Sequence, residues 1–231
     1  MAYADPDSAL AMLHTIDRRS LPPAEKAYYA LTYYLAQNKS GLDVANDSLI
    51  RVAYNYYAKL PKDSLYARCM YYMGLYYSLS DSLERANYCL KEAQRTAKVQ
   101  KDTATLCLAM TRYSWVVRKT HPEAGLEYAK RVLGLYEKYS KRNAFNIVYN
   151  TLMVCECENF CGNPRRAFSL AQQAEKNALA LGDSTVISDV YQDMAYFAVS
   201  LGDKRSTHFA LLSCRYSDTR FVSKRLMLAK A

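Results

Sequence analysis

Small side chains recur along this chain at a nearly constant spacing, and this period constrains the fold more than any other feature. Each copy of a short apolar pattern follows an acidic or turn residue and holds one small position, occupied by Ala9, Ser48, Ala86, Ala124, Ala167 and Thr207. Successive members are 39, 38, 38, 43 and 40 residues apart. That length accommodates two helices of about 15 residues and two short turns. The period therefore predicts an array of helical hairpins.

The composition favours helices along the whole chain. Glycine and proline occur only 7 and 6 times in 231 residues. Between them, alanine and leucine recur at three- and four-residue spacing, which is the spacing of one helix face. Apolar residues make up 51% of the chain, enough for a proper core. Alternating β-branched stretches between turn pairs are not found, so we expect no sheet.

The clearest copy of the pattern spans residues 67–100. Its diagnostic positions are Met70, Met73, Gly74 and Tyr77 on one helix and Leu83, Ala86, Leu90 and Ala93 on the next. This copy resembles the tetratricopeptide repeat, in which small residues let two antiparallel helices approach closely. The resemblance implies an all-α fold, a right-handed α-solenoid of tetratricopeptide-like helical hairpins.

Weaker copies follow the clearest one. In two of them Gly162 and Gly202 stand where a helix must stop, as expected of a glycine at a helix C-terminus. The copy around Ala124 departs most from the pattern, because a His-Pro pair occupies its turn and Arg112 stands where a small residue is expected.

We expect a single solenoid domain over residues 1–231, and both chain ends look like cuts in a longer protein. Its predicted parts are a half repeat at 5–20, helical hairpins at 22–60, 63–100, 102–140, 143–182 and 184–216, and a capping helix at 217–231. Individual helices are predicted near 22–38, 47–59, 63–80, 83–99, 102–119, 122–139, 143–161, 164–181, 184–201, 204–216 and 219–229.

The opening segment, residues 5–57, has a more particular resemblance. Its runs DPDSAL at 5–10, AYYAL at 27–31 and NDSLI at 46–50 resemble a group of regulatory tetratricopeptide proteins of anaerobic gut bacteria. The resemblance implies a sensor or scaffold role, with an export signal, a membrane anchor or a signalling domain outside this chain. It also implies a periplasmic or membrane-anchored location. The alternative is the cytoplasm, because the seven cysteines show no pairing scheme.

In such an array the first helix of each hairpin lines the concave face. The repeat register places on that face Arg68, Tyr71, Tyr72, Leu75 and Leu79, then Tyr149, Met153, Glu156, Asn159 and Phe160, then Gln192, Tyr196 and Val199. This mixture of tyrosines and polar side chains predicts a groove for a peptide or helix of a partner protein. The alternative is that many of these tyrosines seal neighbouring repeats.

No pattern of residues predicts an enzyme, a cofactor or a metal. Cys155, Cys157 and Cys161 form the one cluster that suggests zinc, but the three histidines are scattered elsewhere, so buried thiols are the preferred interpretation. Phosphate-binding glycine loops, metalloprotease helices and nucleophile elbows are lacking.

The formal net charge of +9 leaves a second function open. Basic residues concentrate near the C-terminus, at Lys204, Arg205, Arg215, Arg220, Lys224, Arg225 and Lys230. They predict either binding to nucleic acid or an anionic surface, or simply a solvated helical face. A small-molecule pocket inside the superhelix is a third hypothesis. No stretch approaches the roughly 20 apolar residues of a membrane span.

Overall fold

The computed structural model describes residues 5–40, 47–139 and 144–217. Within these ranges it contains helices and no strand, so the predicted all-α fold class is confirmed. The helices there are α1 (Pro6–His14), α2 (Pro23–Lys39), α3 (Ser48–Tyr57), α4 (Ser64–Leu79), α5 (Leu83–Val99), α6 (Thr103–Val117), α7 (Pro122–Tyr139), α8 (Ala144–Phe160), α9 (Pro164–Leu181), α10 (Ser184–Ser200) and α11 (Ser206–Tyr216). Over the same residues, we find no helix whose length and apolar character would let it cross a bilayer.

Local chemistry explains where many of these helices begin. The Asp63 carboxylate accepts a hydrogen bond from the Tyr66 amide at 2.9 Å and so caps α4. The Asp183 carboxylate caps α10 by accepting from two amides of its first turn, at 2.9 and 3.1 Å. Pro122 and Pro164 begin α7 and α9, because a proline lacks only an amide hydrogen that the first turn leaves unpaired. The predicted helices at 83–99, 122–139 and 164–181 have the same bounds in the structure.

Glycines end the helices at the predicted places. Gly162 and Gly202 follow α8 and α10 with φ of +79° and +65°. Gly182, which ends α9, has φ of +73°. This left-handed conformation is accessible to glycine at little cost, since it has no Cβ. The predicted helix at 219–229 lies outside the described residues.

The chain divides into two compact units, Met1–Val116 and Val117–Ala231, and the division along the sequence falls at the end of α6. In the first unit, α2 packs against α3 and α4 packs against α5 as consecutive hairpins. The helices α4 and α5 approach closely at Gly74, where an added Cβ would lie 2.7 Å from Cγ of Leu90. Arg112, which replaces a small residue in the pattern, is half-buried and places its guanidinium 5.2 Å from the centre of the Trp115 ring.

In the second unit, α8 pairs with α9 and α10 pairs with α11. The small residues of the pattern lie in its core, where Cys155, Ala167 and Ala171 are fully buried. The buried Ser188 hydroxyl on α10 donates a hydrogen bond to the Ser213 carbonyl on α11 at 2.7 Å. This core holds α8 and α10 side by side, which positions the site described next.

Candidate functional site

The predicted groove residues of α4 do not form an open surface. Leu75 is fully buried and Tyr72 is 2% exposed. The Tyr72 ring lies 5.4 Å from the Tyr34 ring of α2 and 4.9 Å from that of its neighbour Tyr71, which is also buried. Tyr71, Tyr72 and Leu75 are thus core residues of the first unit, because these rings fill the space between α2 and α4.

Arg68, the remaining predicted residue of α4, is half-buried. Its Nε lies 4.0 Å from an Asp102 carboxylate oxygen. The same carboxylate accepts from the Thr105 amide and so caps α6. Arg68 therefore has a structural role between α4 and α6, and only Leu79, at the end of α4, is an open apolar position of that face.

In the second unit, the first helices of two neighbouring hairpins are joined by a hydrogen bond. The Tyr149 hydroxyl on α8 donates to Oδ2 of Asp189 on α10 at 2.6 Å. Each helix is followed by a short loop and an antiparallel neighbour, so α8 and α10 run in the same direction. Residues three or four apart share a face of a helix, so the side chains that follow Tyr149 and Asp189 at this spacing continue along one surface.

We call this surface the α8–α10 face. It consists of Tyr149, Met153, Glu156 and Phe160 from α8, and Asp189, Gln192, Asp193, Tyr196 and Val199 from α10.

The α10 half of the α8–α10 face is open. Tyr196 is 54% exposed and Val199 is 67% exposed, and Gln192 beside them is exposed too. The Tyr196 ring lies 5.9 Å from the buried Phe197 ring, which restricts where the tyrosine can point. Of the predicted groove residues, Gln192 and Tyr196 are thus placed where a partner has access to them.

The α8 half is more tightly built. Glu156 pairs with the buried Arg118, whose Nε lies 2.9 Å from Glu156 Oε2. The Arg118 guanidinium also lies 5.3 Å from the centre of the Phe160 ring, which is 39% exposed. Glu156 therefore balances a buried charge, and a partner would reach the rim of this ion pair rather than an isolated carboxylate.

The other two predicted residues of α8 are half-buried. Met153 packs against the apolar cluster of Ala129, Val154 and Cys157 between α7 and α8. Asn159 lies in the last turn of α8, where its carbonyl accepts from the Gly162 amide at 3.0 Å. Met153 offers a soft, adaptable side chain to the surface, whereas Asn159 belongs mainly to the helix end.

The cysteine cluster on α8 is a set of thiols in apolar surroundings. Cys155 and Cys157 are buried, and Cys161 is partly exposed. Burial raises the pKa of the Cys155 thiol far above its ordinary value, and it also raises the pKa of Cys161. The Cys155 and Cys161 thiols are therefore neutral near pH 7. Across the described ranges, no group of three or more His, Cys, Asp or Glu side chains is arranged to hold a metal ion.

The basic C-terminal cluster is only partly within the described residues, because Arg220, Lys224, Arg225 and Lys230 lie outside them. Arg205 is paired with Asp203 at 2.6 Å. Its guanidinium also lies over the Phe168 and Phe209 rings, at 5.5 and 5.8 Å from their centres. Lys204 and Arg215 are exposed. The described part of this cluster is thus divided between one structural arginine and two solvated cations.

Three residues of the α8–α10 face and its support were not predicted from the sequence: Asp189, Asp193 and Arg118. Asp189 stands three positions before Gln192, so the same register places it on the face, but an aspartate beside other polar residues suggests only solvation. Arg118 follows the end of α6 without any motif. In the sequence, Arg118 is simply an arginine after an apolar run, and many ordinary surface arginines occur in the same pattern.

Comparison with known proteins supports the fold. No family model and no curated protein matches the chain. Nineteen chains of solved structures match it, among them the crystal structure of a Rap protein complexed with Competence and Sporulation Factor. The TM-score is 0.74 at 16% sequence identity, and the match covers 91% of this chain and 60% of that chain.

The chain therefore spans less than two thirds of the length of that Rap protein. At this identity the similarity is one of fold. It confirms the tetratricopeptide-type helical repeat that the register of Gly74 and Ala86 predicts.

Proposed function

We propose that the chain is a non-catalytic interaction module and that its α8–α10 face binds a segment of another protein that carries both basic and apolar side chains. The fold supports the general part of this proposal, because helical repeats of this type present side-chain surfaces to partners. The similar Rap protein is complexed with a factor, which is in keeping with such a role here.

The observation that carries the proposal is the open apolar surface beside a fixed polar one. Tyr196 and Val199 are more than half exposed and lie three residues apart on one face of α10. Next to them, the hydrogen bond from Tyr149 to Asp189 holds an aromatic ring and a carboxylate in one arrangement. Rigid aromatic anchors surrounded by oriented polar groups are typical of surfaces that bind peptides.

The charge of the α8–α10 face selects the chemistry of the partner. Its charged members are Glu156, Asp189 and Asp193, and Arg118 pairs with Glu156 from beneath. These carboxylates outnumber the one arginine, so this face carries a negative formal charge although the chain as a whole carries +9. A lysine or arginine beside an apolar anchor would find a carboxylate acceptor here.

A synthetic peptide library divided into basic, neutral and acidic sublibraries tests this proposal on the purified chain. Binding is measured by fluorescence polarisation for the wild type and for Tyr196→Ala and Asp193→Asn. Tyr28→Ala is the matched control, because Tyr28 on α2 is 57% exposed and Tyr196 is 54% exposed. Each variant is checked for helix content by far-UV circular dichroism.

We expect the basic sublibrary to bind most tightly. Tyr196→Ala should weaken that binding roughly fivefold to thirtyfold, as for other central aromatic contacts. Asp193→Asn should reduce the preference for basic peptides by up to about fivefold, since a half-buried charge at a rim contributes modestly. Equal binding by the wild type and Tyr196→Ala, or a preference for acidic peptides, would show that the α8–α10 face is not the binding surface proposed here.

We also propose, from the resemblance of residues 5–57, that the chain is the sensor or scaffold part of a bacterial regulatory protein exposed to the periplasm. The alternative is the cytoplasm, where the seven free cysteines would stay reduced. Fractionation of the native host, followed with an antibody against this chain, distinguishes the two. Recovery in the cytoplasmic fraction would contradict the periplasmic location.

A further inference from the structure

The first unit contains a pocket that lies apart from the predicted groove positions. It has a volume of about 430 Å³ and opens where α3, α4 and α5 meet. A volume of this size lies within the range of sites for small organic molecules. The pocket is lined by side chains of all three helices, so the packing of the hairpin α4–α5 against α3 forms its walls.

The floor of the pocket is apolar and polarisable. Met70, Met73 and Cys89 line it, and each of these side chains is buried in the core of the first unit. Burial raises the pKa of the Cys89 thiol to about 11, so this group is neutral near pH 7. Thioethers and a neutral thiol adapt to flat or irregular apolar groups, which suits the hydrocarbon or aromatic body of a ligand.

Two guanidinium groups flank one tyrosine at the edge of this floor. Nη2 of Arg51 donates to the Tyr77 hydroxyl at 3.3 Å, and the Arg85 guanidinium lies 5.7 Å from the centre of the Tyr77 ring. Arg51 is also held through its Nε by Asp47. Both arginines line the pocket, and these contacts place them beside Tyr77. A guanidinium presents paired donors that match the two oxygens of a carboxylate.

The mouth of the pocket limits the charge of an anion that enters. Glu84 and Tyr88 line it from the first turns of α5, and both are exposed. The negative charge of Glu84 beside Arg85 opposes a second negative charge on a ligand. Tyr88, which is 68% exposed, adds an aromatic wall above the floor. Asp47 beside Arg51 and Glu84 beside Arg85 place a carboxylate next to each arginine, so the mouth favours no more than a single negative charge on an apolar body.

From this arrangement we infer that the pocket between α3, α4 and α5 binds a small monocarboxylate with an aromatic or aliphatic body. The carboxylate lies between Arg51 and Arg85 at the mouth, and the apolar body lies on Met70, Met73 and Cys89. The site belongs to the first unit and uses no residue of the α8–α10 face, so it stands independently of the proposed partner binding.

Three matched aromatic probes test the inference on the full chain: naphthoate, which carries one negative charge, naphthamide, which is neutral, and naphthyl phosphate, which is largely dianionic at pH 8. Affinities are measured by isothermal titration calorimetry. The variant is Arg85→Gln, which removes a guanidinium from an exposed position. Arg131→Gln is the matched control, since the Arg131 guanidinium lies over the Tyr128 ring at the same distance, 5.7 Å, in the second unit.

We expect naphthoate to bind roughly tenfold more tightly than naphthamide, as a charged hydrogen bond would give. Arg85→Gln should remove most of that preference, and Arg131→Gln should leave it unchanged. Naphthyl phosphate should bind more weakly than naphthoate. The inference is overturned if naphthoate and naphthamide bind equally, if naphthyl phosphate binds most tightly, or if Arg131→Gln weakens binding as much as Arg85→Gln.

Discussion

A methyl group added at Gly74 tests the close contact between α4 and α5 in the first unit. The new Cβ would lie 2.7 Å from Cγ and 2.8 Å from Cδ2 of Leu90, and 3.3 Å from its backbone nitrogen. Leu90 is fully buried, so its branch carbon has no free volume to move into. We therefore expect Gly74→Ala to push α4 and α5 apart and to lower the free energy of unfolding of this unit.

The magnitude follows from two opposing terms. Overpacking a core by one carbon costs about 1–3 kcal/mol. Alanine in a helix interior is favoured over glycine by about 1 kcal/mol, so the net loss at Gly74 should be roughly 0–2 kcal/mol. Gly134 in α7 provides the control, because a Cβ there would meet nothing within 4 Å. Gly134→Ala should stabilise by about 0.5–1 kcal/mol, and the two substitutions should thus differ by about 1–3 kcal/mol.

Urea denaturation followed by two probes measures this difference. Far-UV circular dichroism reports all helices, whereas the fluorescence of Trp115, the one tryptophan of the chain, reports α6 in the first unit. A double-mutant cycle with Leu90→Ala makes room for the methyl group and should show a coupling energy of about 1–3 kcal/mol. If Gly74→Ala stabilises the chain as much as Gly134→Ala does, the small residue at this repeat position is not a packing requirement.

Three further outcomes are expected. Asp183→Ala removes the acceptor for two amides of α10 and should lower the free energy of unfolding by about 1 kcal/mol in urea denaturation; an unchanged midpoint would contradict the cap. Gly182→Ala forces a left-handed φ on alanine and should cost about 1–2 kcal/mol in the same assay, although open space surrounds the site. Hydrogen bonds from Arg95 and then Lys62 lower the pKa of Glu92 to about 2. Its folded pKa is thus below its unfolded value, so this stabilisation is present above about pH 4.3 and is lost as the pH falls toward 2. In Glu92→Gln, the free energy of unfolding should no longer contain this loss at low pH. Identical curves of the free energy of unfolding against pH for the two proteins would refute the prediction.

Many helix boundaries are determined by residues that lie within a few positions of the boundary. Pro164 and Gly182 bound α9 because each fits one end of a helix and disfavours its continuation. The start of α11 was harder to predict, since the expected helix begins at 204 and the observed one begins at Ser206. The Asp203 carboxylate accepts from the Arg205 amide at 2.9 Å, so the intervening residues form a turn before the helix starts. Whether this turn or a further turn of helix forms depends on the conformation of the Asp203 side chain, which the spacing of apolar residues does not predict.

The repeat register predicts which face of a helix a residue lies on, but not how deeply its side chain is buried. Tyr72 and Tyr196 both fall on first helices at positions facing a groove, yet Tyr72 is buried and Tyr196 is open. The difference comes from the neighbouring helix, because α2 supplies the Tyr34 ring against Tyr72. A tyrosine's burial is therefore decided by the volume of a residue about one repeat away, which a single helix pattern does not contain.

The total charge of the chain and the charge of the α8–α10 face favour different classes of partner. Each formal charge counts equally in the sum of +9, whether it is solvated or paired. Arg118 is buried against Glu156, so it adds no accessible positive charge, and the charge of the exposed Arg205 is partly offset by Asp203. The carboxylates of the face act at close range, where a Debye length of about 8 Å screens their field only in part. A polyanion such as nucleic acid should be repelled from this face and a basic peptide attracted to it, but a basic peptide on this face and a nucleic acid on the basic C-terminal residues would both bind more weakly with added salt. The sign of the partner's charge, rather than the presence of salt dependence, therefore distinguishes the two hypotheses.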